Sequence, residues 1–466
     1  HVDFSSVRPL GYAYLHIPEL LISKNYVFLI SRFVFWLEQV LIAFLWIRFL
    51  INYTKKEVSL FVKYNLVFIC FVFNVHYFPC SVLHTIDGLL MCVIGFNFII
   101  SEKKWNFIGF FFIGFAALCK QNYLVVLPFT LFLFNRKNIA LNFTAGFFPI
   151  VFYIVLICTN GGWNDLITQL SGHNELMKVG VFSYLFNPLT YTGIISVFIY
   201  SKLKINKILF SLIVLLFAVI LLATNHYHGK YVFLFFGIIC GELIYRFFNK
   251  ENILLPFIAL LLAWCVSISV GYNTPALFVG GIISLLFFYS FDSVKIEFSS
   301  KLFCAILLII LIIFYFARTN NIYRDLPSKN LTYRLDNIVE GTTGIYTNKN
   351  TFLVLQALDS LKKSIPNLII VPDFTACNIM HSHQSKILTE WPNKTEIPND
   401  KILEKITSKI KNDSTLVFAM PVFQTALLKD GFALQENGGL NYPVVKFVKE
   451  NYLKRSFTNY FELRKK

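Results

Sequence analysis

The sequence predicts a polytopic α-helical membrane protein that carries a small α/β domain at its C-terminal end. Two observations predict the membrane class: 56% of the 466 residues are apolar and only 15% are charged, and the apolar residues fall in runs between short charged loops. A soluble domain usually carries about 25% charged residues. The composition therefore disfavours a soluble enzyme, a disordered chain and a disulfide-rich scaffold.

Twelve apolar runs are the candidate membrane spans. They are residues 26–52, 57–75, 83–100, 106–118, 122–134, 139–158, 188–201, 207–223, 231–247, 253–272, 274–291 and 302–317. Several are shorter than the ~20 residues that cross a bilayer core. We therefore expect these spans to extend into the neighbouring loops, or to be broken or tilted.

The formal net charge of +16 is explained by loop positions and not by nucleic-acid binding. With twelve spans, one set of loops contains 13 Lys and Arg residues, whereas the opposite set contains only Lys120, Lys178 and Lys230. Lys and Arg collect in cytoplasmic loops. The bias therefore predicts that residues 1–25 and 318–466 lie outside the cytoplasm, and that no nucleic acid is a partner.

The two ends of the chain differ in what they predict. It begins with His1 and has no signal-peptide pattern, so we expect the natural chain to start upstream, with a further span there. After residue 317 the charges return. Apolar residues at helical spacing predict helices over 351–364 and 401–411, and short apolar runs predict strands over 368–371 and 416–420. Residues 318–466 should therefore form a small α/β layer outside the membrane, separate from a transmembrane domain of residues 1–317.

The cysteines do not indicate a cysteine-based metal site. None of the nine cysteines lies in a Cys-x-x-Cys motif or in a Cys/His cluster with metal-ligand spacing. Most lie in or beside apolar runs, where a free cysteine behaves as a small apolar residue.

Three outer loops have more polar side chains than connectors require: residues 1–25, 76–87 and 159–187. From residue 10 the first loop resembles an amphipathic helix lying in the membrane interface. Loops carry many binding residues, so the loops predict a site at the outer face. The candidate acceptor or loop contacts are His76, His84, His173 and Glu175. Ordinary solvated loops are the alternative.

Charged residues at span ends mark further candidates, since ionisable groups in membranes are costly and commonly functional. Asp87 opens the run GLLMCVIGFNFII, where it serves either a site or the helix N-cap. Lys120 is the one positive charge at its outer turn, and it either binds a phosphate or extends to the interface. Arg32 and Glu38 in the first span indicate polar contacts inside the bundle.

The outer turn over residues 226–231 brings two His, two Tyr and one Lys together. A phosphate or sugar contact is favoured there over a metal, because no carboxylate or Cys is close in the sequence. A plain polar turn remains open. Arg318 and Arg324 follow the last span, where lipid or substrate phosphates are possible partners.

These segments resemble GT-C type integral-membrane glycosyltransferases. Asp3 with the segment RPLGY over residues 8–12 resembles the family's first outer loop. The stretches HTIDGLLM and GFFFIGFAALCKQNYLVVLPFTLFLF resemble its pattern of an Asp that opens one span, and of a Gly-rich span that leads to a Lys and a Pro-bearing helix. His226 and Tyr227 stand where the family has a late His/Arg-Tyr pair. The nearest branch is the bacterial lipid A aminoarabinose transferase and protein O-mannosyltransferase group.

The resemblance implies an inverting sugar transfer from a polyprenyl-phosphate donor to a lipid, glycan or protein acceptor. Asp3 would be the catalytic base, and Asp87 would orient the acceptor or help to bind a divalent cation such as Mg²⁺ or Mn²⁺. Asp3 is another possible ligand of that cation. Phe4 follows Asp3 where eukaryotic protein mannosyltransferases have Glu, which disfavours a protein acceptor. The residues expected to bind the donor phosphate are Arg8, Lys120, His226, Tyr227 and Lys230.

Three other functions remain open: an O-antigen ligase or polymerase, a lipid or glycan flippase, and a non-catalytic assembly subunit. The soluble part at the C-terminal end favours the transferase over the ligase, and the lack of two similar halves disfavours a transporter. A bacterial inner membrane is expected. Asn-x-Ser/Thr sequences at Asn330 and Asn393 keep the endoplasmic reticulum as an alternative.

Overall fold

A computed structural model describes most of the chain. The described residues are 11–75, 80, 83–101, 105–134, 138–170, 174–224, 226, 230–267, 274–290, 300–322, 326–365, 367–371, 397, 400–421 and 443–466.

Helices dominate the described part of residues 11–320. They are α1 (Gly11–Leu15), α2 (Ile17–Ile22), α3 (Val27–Thr54), α4 (Leu60–Val75), α5 (His84–Ile100), α6 (Asn106–Cys119), α7 (Val126–Phe134), α8 (Ile139–Thr159), α9 (Trp163–Leu170), α10 (Asn174–Leu185), α11 (Pro188–Lys202), α12 (Lys207–Ala223), α13 (Phe233–Phe248), α14 (Leu254–Ser267), α15 (Val279–Ser290) and α16 (Ser300–Asn320). Short 3₁₀ turns at Gln121–Val125, Lys230–Val232 and Pro275–Phe278 lead into α7, α13 and α15.

The helices confirm a helical protein with apolar, membrane-type helices. Each of the twelve predicted runs contains one of them. Within the described residues, four helices are long and apolar enough to cross a membrane: Val27–Thr54, Ile139–Thr159, Lys230–Phe248 and Phe303–Asn320. Seven more apolar helices are shorter. The number of twelve spans stays a prediction.

Close helix packing builds the apolar core around α3, α5, α6, α13 and α15. Small residues allow this packing where helices cross. A Cβ on Gly114 of α6 would lie 1.9 Å from the carbonyl oxygen of Gly146 in α8. Membrane helices commonly approach one another through such residues. By contrast, only 22% of the apolar stretch of α8 is buried within the protein, so its outer face is suited to lipid.

Residues 326–466 contain the described strands. β1 (Tyr333–Arg334) and β2 (Tyr346–Thr347) form an antiparallel pair. A second sheet has the strand order β3-β4-β6-β5, with β3 parallel to β4 and the other pairs antiparallel. Its strands are β3 (Leu368–Ile370), β4 (Val417–Pro421), β5 (Leu453–Phe457) and β6 (Phe461–Lys465).

Three helices accompany these strands: α17 (Lys349–Ser364), α18 (Asp400–Lys411) and α19 (Pro443–Asn451). Ile402, Ile406 and Ile410 are buried along one face of α18, as the four-residue spacing predicts. The predicted positions of two helices and two strands are therefore confirmed. That residues 318–466 are a separate domain outside the membrane stays a prediction.

This C-terminal region contacts the start of α3. The amide of Phe28 donates to the Gly341 carbonyl at 3.3 Å, and the amide of Thr343 donates to the Asn25 carbonyl at 3.1 Å. A salt bridge of 3.1 Å joins Lys405 of α18 to Asp165 of α9. The strands therefore lie on the side of the molecule where α3 begins.

Candidate functional site

Three carboxylates and one histidine meet where α2, α3 and α5 pack together. Asp87, in the first turn of α5, is fully buried. His16, between α1 and α2, places its Nε2 3.1 Å from Asp87 Oδ1 and hydrogen-bonds Glu19 Oε1 through its Nδ1. Glu38 of α3 completes the cluster. One ligand-type atom each from His16, Glu38 and Asp87 lies within 4.8 Å of the other two.

The short helix α2 has a polar side that faces the protein and an apolar side that faces outward. Glu19 is buried, whereas Leu21 is 80% and Ile22 is 71% exposed. This is the reverse of a helix on a water-soluble protein, and it suits the membrane interface. The single amphipathic helix expected from residue 10 is instead two short helices, with His16 between them.

His16 is a cation that lies beside these carboxylates. Burial lowers the pKa of His16, but the hydrogen bond and negative charge of Asp87, together with Glu19, outweigh this and raise the pKa to about 9. At neutral pH the imidazole therefore carries a positive charge. Such a carboxylate–imidazole group can hold or move a proton, or bind a cation.

Two carboxylate oxygens of the cluster remain without a hydrogen bond from any described residue. They are Glu38 Oε2 and Asp87 Oδ2, and both atoms are buried. Glu38 is only 8% exposed. Buried polar groups normally find partners because an unmade hydrogen bond there is costly. The Glu38 and Asp87 carboxyls are near enough for a hydrogen bond to each other when one of them is protonated, so either a shared proton or a bound cation would complete the cluster.

The helix-cap alternative for Asp87 is wrong. The N-cap of α5 is Leu83, and the Asp87 amide already donates to the Leu83 carbonyl at 3.1 Å. The Asp87 side chain contacts His16 and not the free amides at the helix start. The Asp87 carboxylate is therefore part of the cluster with His16 and does not cap α5.

Lys120 ends α6 and is buried, with only 5% exposure. Its ammonium donates to the Cys265 carbonyl at 3.0 Å, so the alternative of a side chain that extends to the interface is wrong. The Tyr123 hydroxyl donates to the Thr85 carbonyl at 2.8 Å and ties this turn to the start of α5. The turn that carries Lys120 therefore lies beside the turn that carries Asp87.

The N-terminal segment also reaches the end of α6. A Cβ on Gly11 would lie 2.5 Å from Leu118 Cβ, so the backbone of α1 packs tightly against the residues just before Lys120. The ring of Tyr12 lies 5.8 Å from the ring of His84, which is buried at the first position of α5. Predicted candidates His84, Asp87 and Lys120 thus lie in neighbouring elements.

The other candidates are not brought to this cluster. His226 and Lys230 are exposed. The described contacts of His226 are with Tyr231, whose ring lies 5.7 Å away, and with the Leu221 carbonyl. In the described part of the chain, neither residue forms a hydrogen bond or ion pair with His16, Glu38 or Asp87. Glu175 lies in α10, and its side chain is not described. The candidates outside the described residues are Asp3, Arg8, His76, His173, Tyr227 and Arg324.

The two charged residues of the first span have different environments. Glu38 is buried and faces the cluster, whereas Arg32 is exposed, so polar contacts inside the bundle stay a prediction for Arg32. At the end of α16, Arg318 lies 5.4 Å from the Trp36 ring and contacts Cys80 Sγ. Through the Trp36 contact, Arg318 packs α16 against α3.

His16 and Glu19 were not among the candidates predicted from the sequence, and Glu38 was assigned only polar contacts inside the bundle. A signal was present, because Glu38 is the one acidic residue in the run 26–52, and buried charge in a membrane helix marks a site. The spacing of His16 and Glu19, three residues apart, also permits contact within one helical turn.

No protein-family model, curated protein or solved structure matches this chain.

Proposed function

We propose that the protein is a GT-C type glycosyltransferase, which moves a sugar from a polyprenyl-phosphate donor to a lipid, glycan or protein acceptor at the outer face of the membrane. The observation that carries the proposal is the partly buried contact between His16 and Asp87. It links the N-terminal segment, whose residue 3 is the expected base, to the start of α5. The resemblance requires these two parts to act together.

The surroundings of Asp87 support this function. The turn that bears Lys120 is tied to α5 through Tyr123 and Thr85. Gly11, which packs against Leu118, follows Arg8 by three residues in the sequence. Lys120 suits a leaving phosphate, and Arg8 is the second candidate cation by its place in the sequence, since planar or compact cations bind phosphate by charge-assisted hydrogen bonds.

Each step of the transfer has a chemical requirement. The acceptor oxygen attacks the anomeric carbon, the bond from that carbon to the phosphate oxygen breaks, and the polyprenyl phosphate leaves. A carboxylate must take the acceptor proton, because a sugar hydroxyl is far too weak an acid at neutral pH. We assign the base to Asp3, acceptor orientation to Asp87 through His16, and charge stabilisation to Lys120.

The exposed apolar side of α2 supports a site at the membrane interface. Leu20, Leu21 and Ile22 face away from the protein, which suits the acyl boundary of a bilayer. A donor with a long isoprenoid tail stays in the bilayer while its phosphate reaches the interface. The exposed apolar side of α2 therefore supports a site that receives such a donor at the interface.

The test is sugar transfer by the purified chain in bacterial lipid vesicles, with undecaprenyl-phosphate-linked hexoses and pentoses as donors and release of free undecaprenyl phosphate as the readout. We expect Asp87→Asn to lower the rate about 100-fold, because misplaced reactants lose about this factor. Asp3→Asn should abolish transfer. Glu242→Gln is the matched control, since Glu242 is also buried in a helix but bonds Tyr200 and Arg246.

Wild-type rates in both Asp87→Asn and Asp3→Asn, with the proteins folded, would overturn the proposal. Its main rival is a flippase, because buried ionisable clusters also serve proton-coupled transport. A flippase would move fluorescent undecaprenyl phosphate across the vesicle in response to a pH gradient without releasing sugar. That outcome would contradict the transferase proposal and support a flippase.

A further inference from the structure

The three donor atoms of the cluster come from three separate elements. His16 lies between α1 and α2, Glu38 lies in α3 and Asp87 lies in α5. A shared site built from remote segments differs from a chance run of neighbouring acidic residues. The three ligand-type atoms converge to within 4.8 Å, although His16 and Asp87 are 71 residues apart.

The cluster needs positive charge at its centre. Asp87 is fully buried and Glu38 is nearly so, and each has one buried oxygen that accepts no hydrogen bond from the described residues. Two carboxylates in apolar surroundings repel each other and lose hydration. A proton on His16 supplies one positive charge, whereas a divalent cation that replaces the proton on Nε2 would supply two and would also contact both carboxylates.

Glu19 provides the support that metal-binding histidines usually have. It accepts from Nδ1 of His16, which turns Nε2 toward Asp87. A carboxylate on the far nitrogen fixes the tautomer and orientation of the imidazole and makes the metal-facing nitrogen more basic. The alternative, a structural cluster, needs a proton shared between the carboxyls of Glu38 and Asp87, whereas one divalent cation would contact both carboxylates and His16 at once.

The donor types select the cation. Metal–ligand bonds of about 2.1 Å place adjacent donor atoms about 3.0–3.4 Å apart. His16 Nε2 and Asp87 Oδ1 are 3.1 Å apart, and donors separated by up to 4.8 Å would have to move closer when an ion binds. One imidazole nitrogen with two carboxylates suits Zn²⁺ or Mn²⁺, whereas Mg²⁺ and Ca²⁺ prefer oxygen ligands alone.

We propose that His16, Glu38 and Asp87 bind one Zn²⁺ or Mn²⁺ ion, with Glu19 orienting His16. The proposal deepens the proposed function and rests on it for the role of the ion, which is to place positive charge beside the donor phosphate. Binding itself is measured without any sugar substrate.

The experiment is titration of the full purified chain in detergent with Mn²⁺, followed by electron paramagnetic resonance, and with Zn²⁺, followed by calorimetry. We expect about one saturable ion per chain. Glu38→Gln and Asp87→Asn should each weaken binding at least 100-fold. Glu19→Gln should keep the stoichiometry and weaken binding about 10–100-fold, as loss of a supporting contact does.

The matched control is Glu242→Gln, because Glu242 is as buried as Glu38 but lies in a network with Tyr200 and Arg246. It should bind the ion as the unaltered chain does. No saturable binding of either ion by the unaltered chain would overturn the proposal, and so would binding by Glu38→Gln and Asp87→Asn that is as tight as binding by the unaltered chain. Should one of these variants not fold, the unaltered chain and the other variant still decide.

The metal-site proposal and the transferase proposal can be contradicted independently of each other. Sugar transfer that persists in a chain shown to bind neither ion overturns the metal site and leaves the transferase. Stoichiometric binding that is lost in Glu38→Gln, in a chain that transfers no sugar from any donor, supports the metal site and overturns the transferase.

Discussion

Burial separates residues that looked alike in the sequence. Lys120 and Lys230 were both candidate phosphate ligands, yet Lys120 is 5% exposed and donates to Cys265, whereas Lys230 is exposed at the start of a 3₁₀ turn. A buried ammonium is costly unless it has partners. The structure therefore gives Lys120 the stronger claim to a specific role.

At the residue scale, Lys120→Ala should weaken binding of undecaprenyl phosphate about 10-fold or more, because a hydrogen bond to a charged group contributes about 1.5–3 kcal/mol. Lys120→Arg, which keeps the charge, should retain part of the affinity. Lys202→Ala is the control, since Lys202 is exposed at the end of α11. Binding by the purified chain is measured by fluorescence quenching, and unchanged affinity in Lys120→Ala would contradict the role.

At the scale of helices, close crossings decide where a side chain is permitted. α11 and α13 meet at Gly193 and Gly237, and a Cβ on Gly237 would lie 2.0 Å from the Thr190 carbonyl oxygen. No rotamer can relieve a clash between a Cβ and a backbone atom. The backbones of the two helices must instead move apart.

Gly237→Ala therefore tests whether packing or helix propensity controls this position. Propensity alone favours Ala over Gly by about 1 kcal/mol in a helix. We expect the opposite sign, a loss of about 1–3 kcal/mol in the free energy of unfolding, because overpacking costs this much. Thermal unfolding in detergent measures it, with Ala140→Val on the exposed start of α8 as the control. A more stable Gly237→Ala protein would show that the crossing is looser than described.

At the scale of the whole molecule, the described contacts place the C-terminal strands with the start of α3. Gly341 and Thr343 bond the chain at Phe28 and Asn25. Gly341 has a φ of +82°, a conformation that Gly adopts without strain. The positive-charge bias of the loops predicts that this side faces away from the cytoplasm.

Reporter fusions in a bacterial host test this orientation. Alkaline phosphatase folds only outside the cytoplasm, so we expect high activity when it follows Lys466 and little when it follows Lys250, in the predicted cytoplasmic loop after α13. Fusions to green fluorescent protein at the same positions should give the reverse pattern. Activity after Lys250 and none after Lys466 would invert the predicted topology and move the cluster to the cytoplasmic side.

Helix positions were accessible to sequence reasoning because they depend on local patterns. The apolar runs and the isoleucine spacing of α18 are each contained in one segment. The strands β5 and β6 were missed, since charged residues such as Lys454 and Arg464 mask the alternation that marks a strand.

The sequence by itself determined the apolar, membrane-type class and most helices, and it predicted Asp87 and Lys120 as site residues, because hydrophobic burial and isolated charge are visible residue by residue. Only the tertiary structure decided that His16, Glu19 and Glu38 join Asp87, and that His226 and Lys230 do not. The pattern of one helix shows which face is apolar, but it does not show which helix packs there. The site depends on that choice, since its members come from separate segments that meet only when α2, α3 and α5 pack together.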